Sequence, residues 1–429
     1  MNKIVELAQK IIRILNESPS FQDDNRFDWL CLIPSPSGKG DILIGRDGQQ
    51  AFSDMVRIYW EKQKKKDPRY DLNDLVAPLK QKFSDRFLKE GLPVNEKYLS
   101  RVFSRVCTEH ERSWKKSKYY MPCNLFISEL MKPIEIGPVK FIPAEQFLEN
   151  NLSNLEKEKN CSSVLDSFKR HNWVAIAAVE KCSPKVAEKI AYKAVEFAIA
   201  TLQLVWGADQ TDCFKIEESH QATARNWAIE VDGNFECGWS RNFGRSFPVE
   251  WSDSLLDDEI RQVISFSATV LNKYLSFELV DRLDNLILES ILMYQNAIRE
   301  SDYYIKIMKY VFAAEALLLP VDCKNEEIAG RFKERFAAVV SCDFDNFTEK
   351  KAFFSTAYNI RCDIAHGRFI WKTKEKQKIN CSVIERDVAA LIYNVVCFID
   401  PCNTSVTNHN EELDEALIKR VSEVKQIKS

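Results

Sequence analysis

The sequence predicts an α+β chain whose last third is wholly helical, on three observations. From Ser252 to about Pro401, apolar residues recur almost without a break at three- and four-residue spacing, the period of one helix face. Ahead of that stretch, short alternating apolar segments bounded by Pro, Gly and Asn are interleaved with helical ones. Glycine (12) and proline (14) are both scarce in 429 residues, too few for a loop-rich all-β chain or a glycine-rich nucleotide fold. That length exceeds one ordinary core. Pattern and composition divide it into an α+β region over 1–150, a second α/β or α+β region over 151–250, a helical bundle over 251–402, and a polar tail over 403–429.

Taken in order, Ile4, Leu7, Ile11, Ile12 and Leu15 share one face of a helix over Lys3–Asn16. WLCLIP and DILIG, joined by SPSGKGD, have the form of a hairpin. Helical segments follow over 72–90 and 97–115, and residues 123–142 alternate as two short strands around Lys132-Pro133. After a polar stretch, NLSNLEKEKN, comes an apolar strand over Trp173–Val179 and then a helix over Pro184–Trp206. NWAIEV and FECGWS flank Asp232-Gly233-Asn234, a second hairpin. The bundle is expected to hold helices over 254–276, 278–299, 302–319, 325–341, 347–366 and 382–400, with short links that imply antiparallel neighbours. The tail carries an amphipathic helix over Leu413–Ile427.

Composition narrows the function classes. A net charge of −3 gives no whole-surface attraction to nucleic acid or anionic membranes, so any such binding must come from local basic patches. The 13 cysteines are scattered singly, without a CxxC pair or histidines at zinc spacing, which argues for free thiols, no metal site and a reducing cytoplasmic location. Cys31 and Cys397 sit in apolar runs and are expected to be core residues. The start of the chain carries Glu6, Gln9, Lys10 and Arg13 and reads as an amphipathic helix rather than a signal peptide, and the apolar stretch Ala389–Ile399 is too short to span a bilayer. Gly38-Lys39-Gly40 lacks the rest of a phosphate-binding loop, and there is no GxSxG, HExxH or DxDxDG. No cofactor is implied.

The segment richest in chemistry is AYNIRCDIAHGRF (357–369). Arg361 and His366 lie five residues apart near a helix end marked by Gly367. Five residues turn about 500°, leaving the two side chains about 140° apart within a turn and a half. Side chains this long, at a helix end, can converge on one anionic group. Arginine offers a permanently charged fork for phosphate, and histidine is suited to moving a proton near neutral pH. The same spacing recurs at Arg105 and His110, but there Glu109 and Glu111 flank the histidine and the charged helix runs on past it.

In helix order and residues, the stretch 302–369 resembles the HEPN domain, within its Apea-like subgroup. YYIKIMKYVFAAEALLLP, EEIAGRFKERFAAVVS and FFSTAYNIRCDIAHG stand where that family has its acidic helix, its linking helix and its Arg-x4–6-His helix. The resemblance implies a four-helix bundle that dimerises, and a metal-independent endoribonuclease whose composite site is built from two copies of the motif. Arg361 would stabilise the scissile phosphate, and His366 would act as general acid or base. The attacking group would be the RNA's own 2′-OH. Glu315 matches the acidic position and would hold Arg361 or a partner helix; alternatively it is a partly exposed glutamate beside an apolar face. Tyr358 and Asp363 lie close enough to support the site, or else serve packing and solvation. Active members usually carry a polar residue after the arginine, where this chain has Cys362. That departure favours the alternative of a non-catalytic HEPN module for RNA binding or dimerisation. By the same likeness, the chain would be a prokaryotic defence or toxin effector regulated by its N-terminal region.

Immediately after the motif, RFIWKTKEKQK (368–378) sets Arg368, Lys372, Lys374, Lys376 and Lys378 against one Glu375, with Phe369 and Trp371 interleaved. Such a loop would neutralise RNA phosphates and stack a base on Trp371; its plain alternative is a solvated basic loop.

Overall fold

A computed structural model describes residues 2–17, 32–37, 41–62, 67–156, 161–216, 224–231, 234–241, 245–280, 282–319, 325–341, 343–367, 379–398 and 409–426. The chain forms two compact units: residues 1–117 with 179–190, and residues 118–178 with 191–429.

Unit 1 is mainly helical. Helix α1 (Asn2–Glu17) buries Ile4, Ala8 and Ile11, a four- and three-residue rhythm that places them on one face. Strands β1 (Leu32–Pro34) and β2 (Asp41–Leu43) pair antiparallel with Leu32 opposite Leu43, as the hairpin pattern indicated. Helix α2 (Gly45–Lys62) has no counterpart in the sequence reading, because its polar opening, GRDGQQ, hides the buried run Ala51, Phe52, Met55 and Val56. The helix expected over 72–90 is three pieces: a 3₁₀ turn (Leu72–Leu75) capped by Asp71, helix α3 (Val76–Phe83) and a π-helical segment (Ser84–Lys89). Asn95 caps helix α4 (Glu96–Ser113) by accepting the Tyr98 amide. Phe52, Met55, Leu79, Phe83, Leu99 and Phe103 form the centre of this unit's core.

Unit 2 contains the sheet. Where two strands are expected over 123–142 there are parts of four, the first beginning ahead of that region: β3 (Ser117–Asn124), β4 (Phe126–Ile127), β5 (Ile134–Ile136) and β6 (Val139–Pro143). Helix α5 (Ala144–Leu155) runs into the first half of the stretch read as polar, and α6 (Cys161–Arg170) begins directly after that stretch. Strand β7 (Trp173–Val179) and helix α7 (Pro184–Trp206) have the predicted bounds. Short helix α8 (Ala208–Thr211) leads to β8 (Lys215–Ile216). Five strands run in the order β5-β6-β7-β3-β8, with Phe141 of β6 opposite Ala175 of β7, so one sheet joins residues on both sides of position 150. Strands β9 (Ala224–Val231) and β10 (Asn234–Arg241) form the second predicted hairpin, and β11 (Arg245–Ser246) pairs parallel with β4. The residues joining β9 to β10 lie outside the described set.

Gly137, at the turn between β5 and β6, has φ 56° and lies against the backbone of Ala268, 2.7 Å from where a Cβ would stand. No other residue type fits that approach without displacing a helix backbone. Beside the sheet, Phe126, Trp173, Trp206, Phe214, Phe247 and Trp251 pack together, and each indole N–H is used. Trp173 donates to the Phe126 carbonyl (2.7 Å), Trp206 to Ser254 Oγ (3.0 Å) and Trp251 to the Leu130 carbonyl (3.0 Å).

A 3₁₀ turn (Val249–Leu256) opens the helical region. Helices α9 (Asp258–Ser276), α10 (Arg282–Ile298), α11 (Tyr303–Leu318), α12 (Asn325–Val340), α13 (Phe344–Ala365), α14 (Cys381–Phe398) and α15 (His409–Gln426) follow. Asp257, Asp302 and Asp343 cap α9, α11 and α13 with side-chain oxygens, which is why α13 starts three residues ahead of its apolar pattern. Helices α11, α12, α13 and α14 pack on one another, with α10 against α11 and α15 against α12. Their shared core includes Val311, Leu318, Phe332, Phe336, Phe354, Ile360, Val388 and Leu391. Contrary to expectation, Cys397 is exposed: its run is apolar, but its own position on α14 faces away from the core that takes Val395 and Val396. Cys31 lies outside the described residues. Among the described residues, no helix is long and apolar enough to cross a membrane.

Candidate active site

Packing of α13 against α11 brings together two residues 46 positions apart. Arg361 donates from Nε (3.1 Å) and from Nη2 (2.9 Å) to one oxygen, Oε2, of Glu315. Both side chains are largely covered, that of Arg361 23% exposed and that of Glu315 11%. Each helix also lends a ring one turn away on the same face. Phe312, three residues before Glu315, lies 4.9 Å below the guanidinium, and Tyr358, three residues before Arg361, lies 5.7 Å from it. Arg361 is therefore fixed by a charge-assisted fork on one side and aromatic faces on the other.

Electrostatics follow from that enclosure. Burial pushes the Glu315 carboxyl above the usual carboxylate range, against the opposing pull of Arg361. Burial acts to lower the Arg361 guanidinium, yet the Glu315 charge and hydrogen bonds outweigh it and leave it raised. The Tyr358 phenol is pushed up to about 12, first by burial and then by its neighbours Cys362 and Glu315. It packs on Phe332 (ring centroids 5.1 Å apart) and beneath the Lys333 ammonium (5.7 Å), so its place is in the bundle core as a positioning ring.

His366 stands apart from this cluster. It is the C-cap of α13, with φ −94° and ψ 7°, so the uniform helical rotation assumed from the sequence stops one residue short of it. Its amide bonds back to the Cys362 carbonyl (3.0 Å), and the following Gly367 takes φ 66° and closes onto Ile364 (3.0 Å), a left-handed helix end. Residues 365–367 are exposed, and among the described residues no hydrogen bond or ion pair takes up the His366 ring. Cys362 and Asp363 are half-buried on the turn between the two.

Of the residues singled out from sequence, the structure thus gathers Arg361, Glu315 and Tyr358 and leaves His366 at the open helix end. Arg368, Trp371, Lys372, Lys374 and Lys376 lie outside the described residues. Phe312 and Lys333 were missed as parts of the site. Phe312 had a usable signal, its three-residue offset from Glu315, whereas Lys333 reaches Tyr358 only through the packing of α12. The competing pair on α4 falls out differently. Arg105 pairs with Glu109 on the exposed face of α4 (2.7 Å), and the His110 ring packs against Tyr70 and Trp114.

Comparison with models of known families, with curated proteins and with solved structures finds no match. Among the described residues, no three His, Cys, Asp or Glu side chains converge as a metal site would require.

Proposed function

We propose that this chain is a metal-independent endoribonuclease of the HEPN type, acting as a homodimer through its C-terminal bundle. The observation that carries the reading is the Arg361–Glu315 fork between α11 and α13. It holds a cation in a defined place at the helix that ends in an exposed histidine whose ring has no partner among the described residues.

In this reading the RNA 2′-OH attacks the adjacent phosphorus. His366 of one subunit removes the hydroxyl proton, and its counterpart on the second subunit protonates the departing 5′-oxygen. Arg361 faces the two non-bridging oxygens as charge accumulates on them, with Glu315, Phe312 and Tyr358 preventing it from following the substrate. The products are a 2′,3′-cyclic phosphate and a 5′-OH. Arg368, Lys372, Lys374 and Lys376 would take flanking phosphates, and Trp371 a base. A role as a defence or toxin effector restrained by its N-terminal region rests on analogy with such architectures.

A second reading has its own supporting observation. Two of the Arg361 donors are already committed to Glu315, and the guanidinium is mostly covered, as in a structural cross-link. Arg361 and His366 would then serve a non-catalytic module for RNA binding or dimerisation.

The deciding experiment is purified protein on labelled total RNA and tRNA with excess EDTA, beside His366→Ala and Arg361→Ala. Cleavage that survives EDTA and vanishes in both variants, leaving cyclic phosphate ends, supports the nuclease. Intact RNA in every lane, with binding retained, supports the module.

A further inference from the structure

Unit 1 contains a cavity of about 270 Å³ between the π-helical segment and α4, lined by Lys82, Arg86, Leu92, Tyr98, Arg101, Val102 and Arg105. No carboxylate is among the lining residues. Arg86 leans on Glu90 (2.6 Å), while Lys82 (3.0 Å) and Arg105 (2.7 Å) share Glu109, so two carboxylates answer four cations. Arg101 is exposed, has no carboxylate partner among the described residues, and rests over the Tyr98 ring at 5.9 Å. Exposed ion pairs of this kind hold their partners weakly, so a doubly charged anion can recruit the arginines from them.

The backbone here is also unusual. Helix α3 passes directly into the π turn Ser84–Lys89, closed by the Glu90 amide on the Asp85 carbonyl (3.1 Å). Gly91 then reverses the chain with φ 66°, and the Leu92 amide returns to the Arg86 carbonyl (3.1 Å). A π turn is rare and is frequently found at functional sites. In this unit it sets Arg86 and Leu92 on the cavity wall opposite Arg101 and Arg105.

We propose that this cavity binds a nucleoside phosphate. Arg86, Arg101 and Arg105 would meet the phosphate, and the base would lie against the Tyr98 ring beside the Arg101 guanidinium, with Leu92 and Val102 as its apolar edge. A concave site of this size suits a mononucleotide, where an RNA backbone would call for an open groove. With the Tyr98 hydroxyl as the one neutral hydrogen-bonding group in the lining, and the Tyr98 ring serving as a stacking face, the four common bases should bind within a few-fold of one another.

The test is calorimetric titration of the full chain, in the absence of RNA, with AMP, ADP, adenosine, inorganic pyrophosphate and a short oligoribonucleotide. The expected result is saturable binding of AMP and ADP, weaker binding of pyrophosphate, and none of adenosine. Arg101→Gln and Tyr98→Leu should each weaken AMP by about tenfold, the worth of one charge-assisted or stacking contact, with unchanged circular dichroism and melting. The proposal is overturned if neither nucleotide gives a saturable signal, if both folded variants bind AMP like the parent, or if only the oligoribonucleotide binds. None of these outcomes depends on whether the chain cuts RNA.

Discussion

Removing the carboxylate at Glu315 tests whether the α11–α13 fork is a real coupling. Its magnitude can be worked from the geometry. At 2.9 Å and an effective dielectric constant of about 20, the direct attraction is about 6 kcal/mol, most of which is spent on desolvating both groups. With side chains 11% and 23% exposed, the pair sits between exposed pairs, worth up to about 1 kcal/mol, and fully buried ones, where losing a partner costs about 3–5 kcal/mol. A coupling of about 2 kcal/mol follows. Glu315→Gln alone should cost less than that, since it also relieves the burial of charge that holds the carboxyl pKa up. The cycle therefore needs Glu315→Gln, Arg361→Gln and the double variant, compared by native-state hydrogen exchange of α13 amides, which reports opening of that helix separately from unit 1. Additive single effects, with a coupling below about 0.5 kcal/mol, would refute the reasoning and leave the aromatic faces as what holds Arg361.

Three other outcomes are expected. Gly367→Ala should cost about 1 kcal/mol and loosen the helix end that carries His366, purely through its positive φ, because a Cβ there meets nothing within 4 Å; Gly367→Asn should cost less, by urea denaturation. Asp414→Ala should cost about 2–3 kcal/mol and expose α15 to limited proteolysis, because it strands Arg335, 4% exposed and ion-paired to Asp414 at 2.6 Å. Burial holds His110 below the ordinary histidine range, opposed by Asp74 and Glu111, so its neutral form supports unit 1 above the unfolded value of about 6.5 and that support is lost as pH falls toward the folded value. The acid limb of unfolding should accordingly be shallower in His110→Phe than in the parent, compared by melts at stepped pH.

How much of this was legible follows the local physics. Strand β7 and helix α7 could be bounded from sequence because Trp173–Val179 is buried along nearly its whole length and Pro184 marks the helix start. The helices of the C-terminal third were legible for the same reason, as each carries its period on its own residues. Helices α2, α5 and α6 were not, because polar residues at their ends mask short apolar faces that only a partner element reveals. The Arg361–Glu315 contact could be anticipated as a pairing of helix faces. The separation of His366 could not, because it depends on where α13 stops, and the last residue of a helix is set by its cap rather than by its period. The cavity beside α4 left no sequence signal either, since a π turn has no periodicity of its own and the basic residues of its lining are scattered singly between positions 82 and 105.

The interleaving of the two units bears on how the chain is made. Unit 1 needs residues 179–190 to be complete, so it closes only after the first strands of unit 2 have already emerged. Strand β3 ends at Asn124, but its outer neighbour β8 begins at Lys215, about 90 residues later. At ribosomal speeds this leaves roughly 5–20 s with one sheet edge open, an interval in which a holding chaperone has something to protect. Helices α11 to α14, by contrast, close on near neighbours in the sequence and should fold quickly once released. A ribosome halted between residues 190 and 361 would therefore have made all of unit 1 without completing the Arg361 fork. Any ligand held beside α4 would be in place before the C-terminal site exists.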